Sequence, residues 1–291
     1  MISNIVFFNH WHYGDLFSTR EWVKDIIQQT PSCSHYYLHS NNTKVTHDLC
    51  AIYSDLSKLQ TLDMFYKLIY DELTQTLFIN TWVGAYPDQF HTHPTYLQHN
   101  MIIKDCYTHI KAYHDINLTW NSHPWYYVPK INYTKYDLIK CHQFLQHNTA
   151  TKWLFCNNDV RSFQSSQGDM QEVINLLAHK HPHITFIVTK PIHTVADNVK
   201  FTNDIFETEN DLVEISHLSH YCEVIVGKNS GAFTYTNTLD NLNSARTKFI
   251  CFSHHIHDTL PHGLNHTAKY YGSPATTTHE SLEFINKVLN A

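Results

Sequence analysis

The chain has 291 residues with 42% hydrophobic and 16% charged content, and a formal net charge of −6. That length supports two domains, each with its own core. The acidic balance, with no run of Lys and Arg able to follow a phosphate backbone, excludes a general nucleic-acid binder, and no apolar stretch is long enough to span a membrane. Arginine is confined to Arg20, Arg161 and Arg246, so each cation near a proposed site carries weight. The 25 histidines add positive charge only below about pH 6.5. An odd set of seven cysteines without a C-x-x-C pair reads as small buried apolar residues in a reducing compartment. With no basic N-terminal segment ahead of a long apolar run, the expectation is a soluble cytoplasmic protein. The Asn-, His- and Thr-rich composition suits an AT-rich genome, such as that of a virus or an endosymbiont.

In chain order, Asn4–Asn9 reads as a buried strand, followed by the loop His10–Asp15. Ser18 is expected to cap a helix over Thr19–Gln29, with Glu21 in the capping-box position. His35–His39 is a second strand. Asp48–Glu72 is expected to be helical, from the irregular apolar face of Leu49, Ile52, Leu56, Leu59 and Met64. Leu77–Trp82 is a strand, Thr95–Tyr113 a long helix and Tyr136–Gln146 another.

The second half alternates more regularly. Strands are expected at Lys152–Cys156, Ile184–Val188, Val199–Phe201, Glu223–Val226 and Lys248–Phe252. Helices are expected at Asp169–His179, Asn210–Tyr221 and behind Gly231, with a last one ending at Leu289 and capped by Thr277 with Glu280. Such alternation means a parallel sheet covered on both faces, so the class is α/β with Rossmann-like domains. The domains are drawn at 1–145 and 146–275, with 276–291 as a terminal helix.

Ligands of open parallel sheets sit beyond the carboxyl ends of the strands. The site candidates therefore come from those ends: His10, His12, Asp15, Asn80, Trp82, Asn157, Asn158, Arg161, Lys190, Lys228, Asn229, Ser230 and Gly231. The stretch VIVGKNSGAFTYTN, Val224–Asn237, carries the strongest signal. A strand, a Gly-Lys-Asn-Ser-Gly turn and a helix start together point backbone N–H groups, a hydroxyl and a helix end at one place, which suits a phosphate. The alternative is an ordinary tight turn, since neither a P-loop nor a dinucleotide fingerprint is present. Arg161 and Lys190 are candidate phosphate contacts, and Glu207 or Glu209 candidate acceptors for ribose hydroxyls. Asp15 is the candidate general base, with His12 as its rival; the alternative for Asp15 is a helix-start carboxylate. Trp11, Trp82 and Tyr86 are either stacking surfaces or core. His91, His93 and His99 with Asp88 are read as chance neighbours in a histidine-rich chain, and no metal is expected.

The layout resembles glycosyltransferases of the GT-B architecture, loosely those of the ADP-heptose–lipopolysaccharide heptosyltransferase group. Gly14-Asp15 matches the Gly-Asp that follows the first strand there, whose Asp is the proposed base. Gly227-Lys228-Asn229-Ser230-Gly231-Ala232-Phe233-Thr234 matches the G-x-D-[ST]-G-x-x-H-like element that holds the donor diphosphate, with Asn229 and Thr234 in place of its acidic residue and histidine. The resemblance implies two Rossmann-like domains facing each other across a cleft, and a final helix that braces the first. It implies transfer of a sugar from a nucleotide-diphosphate sugar to a glycan or glycoconjugate hydroxyl, without a tightly bound metal or cofactor, and with the acceptor free to lie at a membrane surface. The alternatives are a nucleotide-sugar epimerase or hydrolase on the same scaffold, and a non-catalytic nucleotide- or sugar-binding protein.

Overall fold

The structure is a computed structural model that describes residues 2–40, 44–86, 95–123, 125–160, 165, 169–206, 211–254 and 264–290. The chain divides into two compact units, the first built on Met1–Lys135 and the second on Tyr136–Pro261 and Asn265–Ala291.

In the first unit, β1 (Asn4–Asn9), β2 (Ser34–His39), β3 (Ala51–Ile52), β4 (Leu68–Asp71) and β5 (Thr76–Asn80) form one sheet in the order β3-β2-β1-β5-β4. β1 lies in the middle, in parallel register with β2 (Val6 opposite Tyr36) and with β5 (Val6 opposite Phe78). Its unbroken IVFF run follows from burial on both faces. Val6, Phe8, Leu38 and Phe78 form a cluster with Leu59 and Leu62 on one face.

Three expectations fail here. The segment expected to be one helix over Asp48–Glu72 holds β3, the single turn α3 (Lys58–Thr61) and β4. Its apolar residues lack a helical period, and pairing of β4 with β5 decides its course. That pairing is antiparallel, so the first sheet is mixed rather than parallel throughout. The helix expected over Thr19–Gln29 is present as α2 (Arg20–Gln29), but a further short helix, α1 (Tyr13–Ser18), precedes it and begins inside the stretch expected to be loop. Ser18 ends α1 instead of capping α2, and its hydroxyl donates to Asp15 O at 3.1 Å.

Polar groups inside the first unit tie its segments together. Arg20, fully buried, pairs with Asp48 and donates to Val45 O at 2.6 Å. Asp25 on α2 accepts bonds from Tyr107 (2.5 Å) on α4 (Thr95–His114), Tyr126 (2.9 Å), Tyr127 (3.3 Å) and Gln29 (2.9 Å). Sharing one buried carboxylate satisfies hydroxyls that burial would otherwise strand.

The second unit contains α5 (Ile139–His147) and a six-stranded, wholly parallel sheet. Its strands are β6 (Lys152–Cys156), β7 (Thr185–Val188), β8 (Val199–Phe201), β9 (Val224–Lys228), β10 (Lys248–Phe252) and β11 (Lys269–Ser273), ordered β11-β10-β9-β6-β7-β8. On one face Trp153, Phe155, Phe186, Val188, Val224 and Val226 pack with α6 (Gln171–Lys180) and α11 (Thr278–Leu289). The alternate residues Leu154, Ile187 and Ile225 are buried as well. α7 (Thr202–Phe206), α8 (Leu212–Ser219), α9 (Gly231–Thr234) and α10 (Leu239–Leu242) complete the unit.

β11, with the sequence KYYGS, was not expected, since it has no apolar run. Thr277 and Glu280 form the capping box expected at the start of α11. That helix, for which the resemblance implied a bracing role on the first domain, buries Ile285 and Val288 in the second unit's own core. The seven cysteines are free thiols, five of them buried. No described helix is long and apolar enough to cross a membrane.

Candidate functional site

At the carboxyl end of β1, the chain turns at His10–Trp11 and enters α1. His10 donates to Leu59 O at 3.0 Å, which fixes it as a loop residue. His12 is exposed and occupies the N-cap of α1 with extended backbone (φ −96°, ψ 168°). Asp15 stands three residues later, half-buried, and its carboxylate accepts the backbone N–H of His12. The two rival bases are thus brought together. Burial pushes the Asp15 carboxyl above the usual carboxylate range, against the His12 N–H and the His12 ring, which pull it back. A carboxylate so placed is a stronger proton acceptor than a solvated one. It also completes half of a capping arrangement, so its structural duty at the helix start is present as well.

Two buried asparagines finish β1 and β5. Asn9 Oδ1 accepts Trp11 N–H at 2.8 Å, and Asn80 Oδ1 accepts Trp82 N–H at 3.0 Å. Asn9 Nδ2 donates to Thr81 Oγ1 at 3.2 Å, which also bonds Tyr37 OH at 2.8 Å. The Trp11 and Trp82 rings lie 5.2 Å apart. Tyr86, a stacking candidate in sequence, belongs to the core instead: it is buried edge-on against Trp22, and its hydroxyl donates to Asn80 O at 3.0 Å.

In the second unit, β6, β7 and β9 end side by side. Asn157 Nδ2 donates to Lys190 O at 2.9 Å and its Oδ1 accepts Lys190 N–H at 2.8 Å, which locks the two strand ends together. Thr189 hydrogen-bonds Asn158 Oδ1 at 2.5 Å. The Lys190 ammonium reaches Asp159 Oδ2 at 2.6 Å, an exposed pair that holds the Asp159 carboxyl below its usual range.

Lys228 closes β9 and is only 5% exposed. No hydrogen bond or ion pair reaches its ammonium among the described residues. Burial pushes that ammonium below the usual lysine range, while Asp159 and Asp169 act through space in the opposite direction. Behind it, Ser230 is the N-cap of α9, its Oγ accepting Phe233 N–H at 3.3 Å. The hydroxyl proton of Ser230 has no acceptor among the described residues, so it is free to donate. Asn229 and Gly231 are partly open to solvent. The helix expected behind Gly231 is α9, a single turn, so its dipole adds little and the local chemistry rests on side chains and N–H groups.

Gly227 has a packing reason of its own. A Cβ there would meet Phe233 Cδ2 at 2.6 Å and Cys156 Cβ at 2.8 Å. Arg161, Glu207 and Glu209 lie outside the described residues, as do Asp88, His91 and His93. His99 is buried on α4. Among the described residues no three His, Cys, Asp or Glu side chains are grouped so as to hold a metal ion. Two hollows of about 360 and 590 Å³ open on the second unit, at the β11–α11 end and beside α5 and β8, and neither is lined by Lys228.

Sequence reasoning missed Asn9, Thr81 and Phe65. The asparagine was in view at a strand end, but nothing local distinguishes a bonded strand-end asparagine from a solvated one. Phe65 lay inside the segment read as helix.

No protein-family model matches the chain, and no curated protein matches it. Solved structures do. The E. coli ADP-heptose lps heptosyltransferase II matches with a TM-score of 0.55 and 11% identity, covering 99% of this chain and 98% of that one. A glycosyl transferase family 9 structure from Veillonella parvula DSM 2008 matches with a TM-score of 0.52 and 10% identity, covering 98% of this chain and 89% of that one. Identities this low speak for fold alone. Two Rossmann-like units, one around a mixed sheet and one around a parallel sheet, share the GT-B fold of those glycosyltransferases.

Proposed function

We propose that the protein is a glycosyltransferase that moves a sugar from a nucleotide-diphosphate sugar to a hydroxyl of a glycan or glycoconjugate. The observation that carries the reading is Lys228, a buried cation at the carboxyl edge of the second sheet whose ammonium has no bonded counter-charge among the described residues. With its stem packed away and its ammonium unbonded, the side chain can take a phosphate oxygen as its counter-charge. Ser230 and the N–H groups that open α9 add donors beside it. Lys190, and from the sequence Arg161, bring further charge, and Glu207 takes the ribose hydroxyls.

In the proposed reaction the acceptor oxygen forms a new bond to the anomeric carbon. The bond from that carbon to the diphosphate breaks, and its electron pair leaves with the nucleotide. The acceptor proton passes to Asp15, whose raised proton affinity suits a general base. Lys228 and Ser230 stabilise the charge that gathers on the leaving diphosphate. No tightly bound cofactor is assigned.

The test is a thermal-shift titration of the full chain with UDP, GDP, ADP and CMP and their sugars, in which one diphosphate stabilises the protein selectively. Lys228→Met then weakens that nucleotide by about ten- to a hundredfold, the worth of a charge-assisted hydrogen bond. Asp15→Asn leaves nucleotide affinity in place and lowers transfer by about 10²–10⁴. Equal nucleotide affinity in wild type and Lys228→Met removes the basis of the assignment.

A further inference from the structure

The carboxyl edge of the first sheet carries an aromatic surface that the phosphate chemistry does not use. Trp11 is 38% exposed and Phe65 is 66% exposed, with the half-buried Trp82 between them. Ring centroids lie 5.2 Å apart for Trp11–Trp82 and 6.0 Å for Phe65–Trp82. Water-facing aromatics are ordinarily mobile, yet these are held by buried polar groups. Asn9 grips the backbone of Trp11, and the His39 ring donates to Trp11 O at 2.8 Å. Asn80 grips the backbone of Trp82 and spends its amide N–H groups on Met64 O (2.7 Å) and Tyr66 O (3.1 Å), the two residues flanking Phe65. A separate observation concerns Gly84: a Cβ there would lie 2.3 Å from the Trp82 ring, so the residue must be glycine for the indole to keep its place. Two fully buried asparagines and one obligatory glycine thus maintain three rings that face water.

We propose that Trp11, Trp82 and Phe65 form a stacking subsite for a pyranose ring of a saccharide acceptor. The proposal rests on the glycosyl-transfer reading for its word "acceptor", because His12 follows Trp11 directly and Asp15 lies three residues beyond His12. The chemistry fits a sugar better than a lipid chain or a protein face. A pyranose has an apolar C–H face for the electron-rich face of an indole, and hydroxyls around its rim. The row here likewise has a hydrogen-bonding group at its border, the His12 ring 6.3 Å from Trp11. The row is two ring spacings long, enough for one or two sugar units and too small for a stable protein interface. Fixing the rings beforehand removes the entropy cost of ordering them on binding.

The experiment is saturation-transfer NMR on the full chain with cellobiose, lactose, chitobiose and maltose as probes, beside tryptophan fluorescence. At least one disaccharide is expected to receive saturation at its ring C–H protons and to quench the tryptophans. Trp11→Ala should cut the transfer at least fivefold, and Trp82→Phe, which keeps a ring, should cut it less. Far-UV circular dichroism confirms that each variant is folded, and Trp11, being exposed, is the safer site. Transfer to none of the four probes overturns the subsite, as does equal transfer in wild type and Trp11→Ala. Binding of phosphatidylcholine–phosphatidylglycerol vesicles that Trp11→Ala abolishes, or wild-type self-association that it abolishes, also overturns it in favour of a lipid or a second copy. Nucleotide stabilisation of the wild type is measured in parallel. Nucleotide binding without sugar contact sinks the subsite alone; sugar contact without nucleotide binding sinks glycosyl transfer and leaves a saccharide site.

Discussion

Gly227→Ala tests directly what the elbow behind β9 is built for. The added methyl would lie 2.6 Å from Phe233 Cδ2, 2.8 Å from Cys156 Cβ and 3.1 Å from Cys156 O. Carbon atoms in good contact are about 3.5–4.0 Å apart, so the methyl is roughly 1 Å too close to two of them. The Phe233 ring can turn away. Cys156 Cβ cannot, because Cys156 is paired directly with Gly227 across β6 and β9 in the middle of the sheet. Overpacking of this kind costs about 1–3 kcal/mol, and the rigid neighbour places the cost in the upper part of that range. For a unit of about 150 residues each kcal/mol moves the melting point by roughly 2–4 °C, so a fall of about 4–12 °C is expected. The assay is differential scanning calorimetry of wild type, Gly227→Ala, Phe233→Leu and the double variant. Phe233→Leu opens room that the new methyl partly fills, so the double variant should be more stable than the sum of the single effects by about 1 kcal/mol. A Gly227→Ala melt within about a degree of wild type refutes the packing argument. Intact stability with lost nucleotide binding would mean that the glycine serves ligand approach instead.

Asp25→Ala should destabilise the first unit by about 2–5 kcal/mol, since three tyrosine hydroxyls and Gln29 lose one shared acceptor; urea unfolding checks this, with Asp25→Asn losing less. A pH dependence comes from His99, whose ring burial pushes down to about 4 against a hydrogen bond that the ring donates to the Ser18 backbone carbonyl. The unfolded chain binds that proton near pH 6.5 and the folded one does not, so stability is full above pH 6.5 and falls as the pH drops toward 4, by up to about 3 kcal/mol. Urea midpoints at pH 7 and 4.5 should differ less in His99→Gln than in wild type.

Much of this molecule is legible from composition along the chain. The runs of β1, β6, β7, β9 and β10 are apolar because each lies inside a sheet and is covered on both faces, which leaves a mark that does not depend on knowing the neighbours. The Thr277–Glu280 capping box is equally local, as its partners are three residues apart. The Gly-Lys-Asn-Ser-Gly turn marks the elbow for the same reason.

Other features exist only through partners distant in the chain. β4 and β11 are edge strands, and pairing on one side defines them without demanding an apolar run, so the segment around β4 imitates an irregular helical face and KYYGS carries no strand signal. Lys228 resembles any strand-end lysine until the strands beside β9 bury it. Trp11, Phe65 and Trp82 meet only because parallel pairing of β1 with β5 sets Asn9 and Asn80 at one sheet edge. The sequence by itself determined where the buried strands and the helix caps lie, since burial on two faces and short-range hydrogen bonds leave a local pattern. Only the tertiary structure decided which polar and aromatic side chains share a place, because that depends on the order and register of strands 72 residues apart.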